Sequence, residues 1–281
     1  MKILVTGSQG FVGGHIFKRL EDHNLFGYDL VNGLDIRDKF TLDRVFESEG
    51  FDSVISLAAR AGVRRGEEFI QEYFDTNVIG LSNLIEMSEK YGIKKFIHFS
   101  SSSAFGAQKE DHATREGDPK RPRSVYGITK LAGELLLEKS SLPYIIIRPF
   151  TIIGEYGRKE MVVYKWLNQI KDGRPASFYG DGSSFRGYTY VGDVIDAIES
   201  LLLSDIERED FNIGGRDIIR LDELKDIFVE VFPEAAFKIH PMPKSDQMFS
   251  LSDTSKAEKM LGWTPKTDVR EKIREILKES L

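Results

Sequence analysis

The chain has 281 residues, 41% of them hydrophobic, which suits one large domain or two modest ones around a sizeable core rather than a disordered segment. A formal net charge of −6 disfavours nucleic acid or an anionic membrane as the main partner, since either favours a basic surface, so any phosphate site has to be local. The absence of cysteine excludes disulfides, thiolate nucleophiles and Cys-based metal sites. The five histidines, His15, His23, His98, His112 and His240, show no paired ligand spacing, so no metal is expected.

Taken in chain order, the first ten residues carry one Lys and an apolar run too short for a signal-peptide core, and they read as a strand. Apolar, β-branched runs recur at Ile3-Leu4-Val5, Leu25-Phe26-Gly27-Tyr28, Val54-Ile55-Ser56-Leu57, Phe96-Ile97-His98-Phe99 and Tyr144-Ile145-Ile146-Ile147, as buried strands do. Amphipathic stretches of helical length lie between them at Phe11–Glu21, Lys39–Glu49, Phe69–Tyr91 and Tyr126–Lys139. This alternation predicts an α/β fold with a doubly wound, Rossmann-like parallel sheet. After Pro149 the rhythm changes to glycine- and arginine-containing loops and separate helices at Met161–Lys171, Asp193–Leu203, Asp222–Val231 and Thr267–Lys278, which predicts a smaller, mostly C-terminal α/β substrate lobe. The expected division is residues 1–150 and about 187–210 in the sheet domain, with about 151–186 and 211–281 in the lobe. Arg148 and Pro149 break the longest later apolar stretch, far short of the roughly 20 residues a spanning helix needs. A soluble, cytoplasmic protein is expected.

Thr6-Gly7-Ser8-Gln9-Gly10-Phe11-Val12-Gly13 follows the first strand and opens the first helix. In that context glycines permit a tight turn, close backbone approach to a pyrophosphate and close helix packing, while the helix N-terminus supplies N–H groups and partial positive charge. The spacing is GxxGxxG, and a plain strand-to-helix turn is the competing explanation. Asp29, at the end of the second strand, stands where an acid would accept from an adenosine ribose and repel a 2′-phosphate, favouring NAD over NADP unless it is merely a solvated loop residue. Asp35 and Ile36 are candidates to flank the adenine, although an acidic helix start gives the same letters.

Tyr126-Gly127-Ile128-Thr129-Lys130 puts a phenol and an ammonium four residues apart, one turn apart on one helix face. A free tyrosine has a pKa of about 10, and a fixed cation nearby favours its ionised form. Lys130 and an oxidised nicotinamide can each supply that charge. The serine run Ser100 to Ser103 follows the fourth strand, at the carboxyl edge where ligands bind in such sheets, and one of its hydroxyls can hold a reacting hydroxyl. Alone, each pattern is also that of a solvated helix face or a polar turn.

Together these segments resemble the extended short-chain dehydrogenase/reductase family, specifically its nucleotide-sugar epimerases. The likeness rests on TGxxGFxG at 6–13, Leu57-Ala58-Ala59, Asn77, the serines before Ala104-Phe105-Gly106, YxxxK at 126–130, Arg148-Pro149-Phe150, Tyr179-Gly180-Asp181-Gly182, Arg186 with Tyr190-Val191-Gly192-Asp193, and Leu261-Gly262-Trp263-Thr264-Pro265-Lys266. It implies Ser101, Tyr126 and Lys130 as the catalytic residues. It implies cofactor contacts from Gly7, Gly10, Phe11, Val12, Gly13, Leu57, Ala58, Ala59, Asn77 and Pro149, besides the catalytic pair. Dehydratases of the family carry Asp-Glu after the catalytic hydroxyl and related decarboxylases carry Glu; here Ser102 and Ser103 stand there, lacking an acid for expelling water and left as substrate contacts. The Ala58–Arg64 stretch and the Phe150–Arg158 pattern resemble UDP-uronate 4-epimerases, which places Thr151 and Arg158 near the substrate, with Arg158 suited to a carboxylate in bidentate geometry or to phosphate.

Tyr179 and Arg186 are likewise implied at the substrate, Arg186 at the diphosphate or in an interlobe salt bridge. Two departures stand out: Phe105 replaces the usual Tyr, and the segment 242–246 lacks the family's second arginine, leaving Lys244 as its substitute. The implied activity is NAD-dependent epimerisation, at C4 of a UDP-hexose or UDP-uronate, through a 4-keto sugar. The unusually short connection from Asp29 to Asp35 also resembles dTDP-4-keto-sugar reductases, so a net reductase is the rival enzyme, and a non-catalytic NAD-binding scaffold is the rival outside enzymes. A homodimer packed through helices near 69–91 and 126–139 is implied by resemblance, although their apolar positions can equally face the sheet.

Overall fold

The computed structural model describes residues 1–108, 112–243 and 247–280. Its first half runs β1 (Lys2–Thr6), α1 (Phe11–Arg19), β2 (Asn24–Tyr28), α2 (Lys39–Glu49), β3 (Ser53–Ser56), α3 (Val63–Glu68), α4 (Ile70–Phe74), α5 (Leu81–Lys90), β4 (Lys95–Phe99), α6 (Val125–Lys139) and β5 (Tyr144–Pro149). The second half runs β6 (Ile152–Ile153), α7 (Val162–Lys171), β7 (Ala176–Tyr179), β8 (Phe185–Tyr190), α8 (Val191–Leu203), β9 (Glu209–Ile213), β10 (Asp217–Arg220), α9 (Leu221–Val231), β11 (Phe237–His240), β12 (Phe249–Ser250), α10 (Ser255–Leu261) and α11 (Val269–Lys278).

Six strands form one sheet in the order β2-β1-β3-β4-β5-β9, with parallel pairing throughout. Successive side chains of each strand enter opposite layers. Ile3, Val5, Ile55, Ile97, Ile145 and Ile147 join α8 on one face, while Leu4, Val54, Phe96 and Ile146 join residues of α2, α5 and α6 on the other. Burial of both faces explains why the strands read as unbroken apolar runs. The strand order reverses between β1 and β3, and doubly wound sheets bind ligands at that point, outside the carboxyl ends of the strands.

The lobe has its own core around Trp166, which is fully buried, stacked on Phe178 at 5.9 Å and met edge-on by Phe228 and Phe237 at 5.4 and 5.1 Å. Its strands are the mixed β10-β8-β12 set, with β6 paired to β8, and the parallel pair β11-β7. The C-terminal run Trp263–Lys266 is tied back to the sheet domain. Trp263 Nε1 donates to Asp193 O at 2.8 Å, and the Asp193 carboxylate accepts from Thr267 N and Oγ1 at 3.1 Å each.

Two boundaries differ from the sequence reading. The division near 210 falls inside β9, which pairs with β5 as the sixth strand of the sheet, and Ala257 of α10 is buried in the sheet-domain core. Its letters, Glu-Asp-Phe-Asn-Ile, open on two acids whose carboxylates both meet Lys256, so no apolar run announces a buried strand. The helix expected over Phe69–Tyr91 is interrupted by a π-turn at Asp75–Gly80. That turn carries Asn77, whose amide bonds the backbone of Arg60 and the Thr129 hydroxyl, so the wider turn seats a side chain under the loop after β3.

Candidate active site

The carboxyl ends of β1, β3, β4 and β5 open onto a cleft of about 1020 Å³ that continues between the sheet domain and the lobe. Gly7, at the end of β1, has φ +73, and a Cβ there would lie 2.8 Å from Ala58 N; one on Gly13 would lie 2.3 Å from Gly7 O. Both positions therefore admit only glycine, and the turn is packed against the loop after β3. Gly10 begins α1 with no side-chain cap, leaving its first-turn N–H groups facing the cleft formed by Gly7, Gly10, Phe11, Val12 and Gly13. Asp29 lies half-buried at the end of β2 and braces this turn: its carboxylate accepts from Gln9 N at 2.9 Å and Val31 N at 3.0 Å.

The end of the cleft that carries the expected Ser-Tyr-Lys set is built on α6. Ser124 caps it by accepting from Gly127 N at 3.1 Å, which fixes the first turn and Tyr126 with it. A Cβ at Gly127 would lie 2.4 Å from Ser103 O, so this glycine lets the serine turn press against the helix. The Ser101 hydroxyl accepts from Ser103 N at 3.1 Å and bonds the Tyr126 hydroxyl. Burial pushes the Tyr126 phenol above its ordinary value, and the opposing influences are the charge of Arg158 and the bond with Ser101. Lys130, one turn on, donates from Nζ to Phe99 O at 2.6 Å, and burial lowers it to about 8. The Lys130 ammonium is engaged by the end of β4, and Arg158 adds a cation whose charge favours the ionised Tyr126.

Of the residues expected at the site, Leu57, Ala59, Ser101, Ser102, Ser103, Tyr126, Lys130, Pro149, Thr151, Arg158, Tyr179 and Arg186 line this one cleft together with the glycine turn. Others stand apart from it. Ala58 backs Gly7, and Asn77 lies behind the loop it braces. Ile36 is buried in the core against Gly80, where a Cβ would meet its Cδ1 at 2.7 Å, while Asp35 is paired with Arg37 at 2.6 Å. Arg186 donates to the carbonyls of Phe185 and Met248 at 2.7 and 3.1 Å and also to that of Gln247, tying β8 to the segment before β12. Lys244 lies outside the described residues.

Several residues beside the site had no role assigned from the sequence, although Arg148 stood within the Arg148-Pro149-Phe150 likeness. Arg148 is fully buried in β5, with Nε and Nη2 each 2.8 Å from the Glu134 carboxylate of α6. Glu134 also meets Lys120 at 2.9 Å and accepts from the hydroxyl of Ser100, while Arg148 reaches Asp210 of β9 at 2.7 Å. The signal was available: a charged residue inside an otherwise apolar strand needs a buried partner, and Glu134 lies one turn beyond Lys130 on the same helix face. A second unanticipated property is the sign of the cleft. Among the described residues lining it, eight are Lys or Arg and one, Glu160, is acidic, although the chain as a whole carries −6. Focused positive charge of this kind draws an anionic ligand.

A doubly wound parallel sheet with a glycine turn beside its reversal point, and Ser, Tyr and Lys at the same edge, defines the short-chain dehydrogenase/reductase class. The chain belongs to the NAD dependent epimerase/dehydratase family, whose profile matches residues 3–214. It is 29% identical to a UDP-glucuronate 4-epimerase of Thermodesulfobacterium geofontis over 96% of this chain and 93% of that one. Among solved structures it is similar to MoeE5 in complex with UDP-glucuronic acid and NAD, at 28% identity and TM-score 0.92 with 100% of both chains covered. It is similar also to the UDP-glucose 4-epimerase of Thermotoga maritima with UDP-glucose, at 30% identity and TM-score 0.91, covering 100% of this chain and 98% of that one.

Proposed function

We propose that this protein interconverts UDP-uronates by NAD-dependent epimerisation at C4. The observation that carries the proposal is the placement of Arg158, whose charge acts on the Tyr126 phenol, in a cleft of predominantly cationic lining. A guanidinium beside the catalytic hydroxyl suits a substrate whose reacting ring carries a carboxylate next to the reacting carbon. The names of the relatives supply the same substrate class.

The residues present fit the cofactor: the glycine turn admits a pyrophosphate against bare backbone, and Asp29 holds a carboxylate at the end of β2 where a ribose hydroxyl can donate to it. When bound, NAD supplies the redox chemistry, taking a hydride from the sugar carbon and returning it to the opposite face. The chain's own residues handle the proton and the geometry. The Tyr126 hydroxyl, once ionised, takes the proton of the sugar 4-hydroxyl as the hydride leaves, and gives it back when the hydride returns. Burial alone opposes that ionisation, so positive charge at the site, of which Arg158 is one source, has to hold the phenolate. Ser101, already bonded to Tyr126, orients the same oxygen. Lys130 is positioned to hold the cofactor ribose and keeps the floor of the site fixed through Phe99 O. Ser102 and Ser103 leave no carboxyl group to expel water, which favours a 4-keto sugar that turns over in the cleft and is reduced on its other face.

The protein acts as a homodimer in this reading. Ile70, Phe74, Ile79, Ile128 and Leu135 of the two expected helices are exposed rather than turned to the sheet.

The test is a panel of UDP-, dTDP- and GDP-sugars followed by NMR together with nicotinamide absorbance. UDP-glucuronate converting to UDP-galacturonate with no net absorbance change supports the proposal. Stoichiometric consumption of reduced cofactor makes the protein a reductase, and conversion of UDP-glucose alone removes the uronate.

A further inference from the structure

We propose that Tyr164 and His15 are positioning residues that clamp the turn at Gly154–Gly157 from opposite sides and so hold Arg158 where a carboxylated sugar ring meets it. The inference rests on the reading of the substrate as a UDP-uronate and names what makes Arg158 selective. The turn links β6 to α7, and Arg158, directly after it, lines the cleft. Local preference opposes the path the chain takes there. Tyr156 is 80% exposed and has φ +62, a left-handed conformation that a residue with a Cβ seldom adopts, so contacts around it have to hold it in place. Arg158 approaches Glu160 at 3.5 Å, a pair open to water, so its position depends on the backbone that carries it.

The contacts come from both domains. On the lobe side, the buried hydroxyl of Tyr164 in α7 accepts from Gly154 N at 2.9 Å and donates to Gly154 O. Burial pushes this phenol up to about 12, so it keeps the proton it donates. The same ring lies over Gly157, where a Cβ would come within 2.0 Å of it, so one side chain grips both ends of the turn. On the sheet-domain side, His15 of α1 is buried and donates from Nε2 to Glu155 O at 2.8 Å, because a carbonyl can only accept. The Glu155 carboxylate in turn accepts from the Tyr190 hydroxyl at 3.1 Å and meets Lys272 Nζ at 3.6 Å. His15 sits one turn beyond Phe11, edge-on to it at 5.6 Å, so the clamp is continuous with the helix that opens at the glycine turn. Tyr164 and His15 stand outside the cleft lining, and their effect on a ligand therefore passes through the turn. An arginine presented on a fixed backbone loses less freedom when it binds than one on a loose loop.

The test is calorimetric binding of UDP-glucuronate, UDP-glucose and UDP to protein loaded with reduced cofactor, in which no hydride can leave the sugar. Wild type is compared with Tyr164→Phe, His15→Leu, His15→Gln, Arg158→Gln and the double variant Tyr164→Phe/Arg158→Gln. Wild type should prefer UDP-glucuronate to UDP-glucose. Loss of the hydrogen bond behind Arg158 predicts a roughly fivefold to tenfold fall in that preference for Tyr164→Phe and for His15→Leu, with UDP held within about twofold. His15→Gln, which keeps a donor, should recover most of the preference. In the Arg158→Gln background, Tyr164→Phe should change it by less than about twofold, since the effect passes through the same guanidinium. A preference unchanged in both Tyr164→Phe and His15→Leu, equal losses for all three ligands, or losses that multiply in the double variant overturn the proposal, as does a wild type without the preference. Turnover separates the two readings. A chain that prefers UDP-glucuronate through these residues but does not epimerise it keeps the clamp and loses the function, whereas an active UDP-uronate epimerase whose variants keep the preference loses the clamp alone.

Discussion

Replacing Glu134 by Gln tests whether the buried charge network supports the fold beneath the serine turn. Arg148 is fully buried, and its two bonds of 2.8 Å to Glu134 would become at best one neutral contact, while its 2.7 Å approach to Asp210 would survive. Breaking a buried pair from one side costs about 3–5 kcal/mol, and the surviving Asp210 partner places this case near about 3 kcal/mol. At ~2–4 °C per kcal/mol for chains approaching this size, Tm should fall by roughly 6–12 °C. Burial works against ionisation of Glu134, and the Arg148, Lys120 and Ser100 contacts outweigh it, so the carboxyl sits below its ordinary 4.5. Its stabilisation is therefore complete above about pH 4.5 and is lost as pH falls through the lower folded value, a limb that Glu134→Gln should flatten. The double variant Glu134→Leu/Arg148→Met removes both charges; Asp210 keeps Lys256 at 2.9 Å and Lys120 keeps access to water, so it should be more stable than the single variant. Differential scanning calorimetry from acid to neutral pH decides. A single variant melting within about 1 °C of wild type, or a double variant less stable than the single, refutes the reasoning.

Tyr126→Phe should lower kcat by about 10²–10⁴-fold while leaving Tm and cofactor affinity near wild type, and a variant of undiminished rate removes the proposed proton carrier. Lys130, lowered to about 8 by burial, loses its charge above that pH, so cofactor affinity measured by fluorescence should decline there; an affinity flat through pH 9 contradicts the ribose-holding role. Because its folded value lies below the unfolded 10.5, the unfolded chain binds the extra proton and stability should rise between about pH 8 and 10.5, a slope absent in Lys130→Met. Gly13→Ala, which places a Cβ 2.3 Å from Gly7 O, should abolish cofactor binding, and retained binding refutes the close-packed turn. Leu135→Glu with Ile128→Glu, both on exposed positions of α6, should give a monomer by light scattering, and an unchanged oligomer moves the interface elsewhere.

The sheet was legible because both of its faces are buried: β1, β3, β4 and β5 show as apolar runs, and α2 and α6 begin and end within a residue of their expected bounds. β9 was not, because its strand opens with Glu209 and Asp210, kept in the sheet by Lys256 from a distant helix rather than by local pattern. The π-turn at Asp75–Gly80 has no period of its own, and it coincides with the bonds of Asn77 to Arg60 and Thr129. At the candidate site, the structure brings the glycine turn, Ser101, Tyr126 and Lys130 to one cleft, a meeting that their motif spacing at successive strand ends anticipates. Glu134 carried no motif, and its meeting with Arg148 followed only from the need of a charge inside an apolar strand for a buried partner. Ile36, expected beside the adenine from its place after an acid, has its side chain in the core under Gly80.

The central claim is that hydrogen leaves C4 and returns to the same carbon within one closed site, with Tyr126 moving only the hydroxyl proton. The most direct measurement is NMR of UDP-glucuronate carrying deuterium at C4, brought to equilibrium with the NAD-loaded protein in ordinary water. The account predicts UDP-galacturonate that keeps its deuterium at C4, with nicotinamide absorbance unchanged at the end. Loss of the label to solvent, or accumulation of reduced cofactor in step with product, would contradict it.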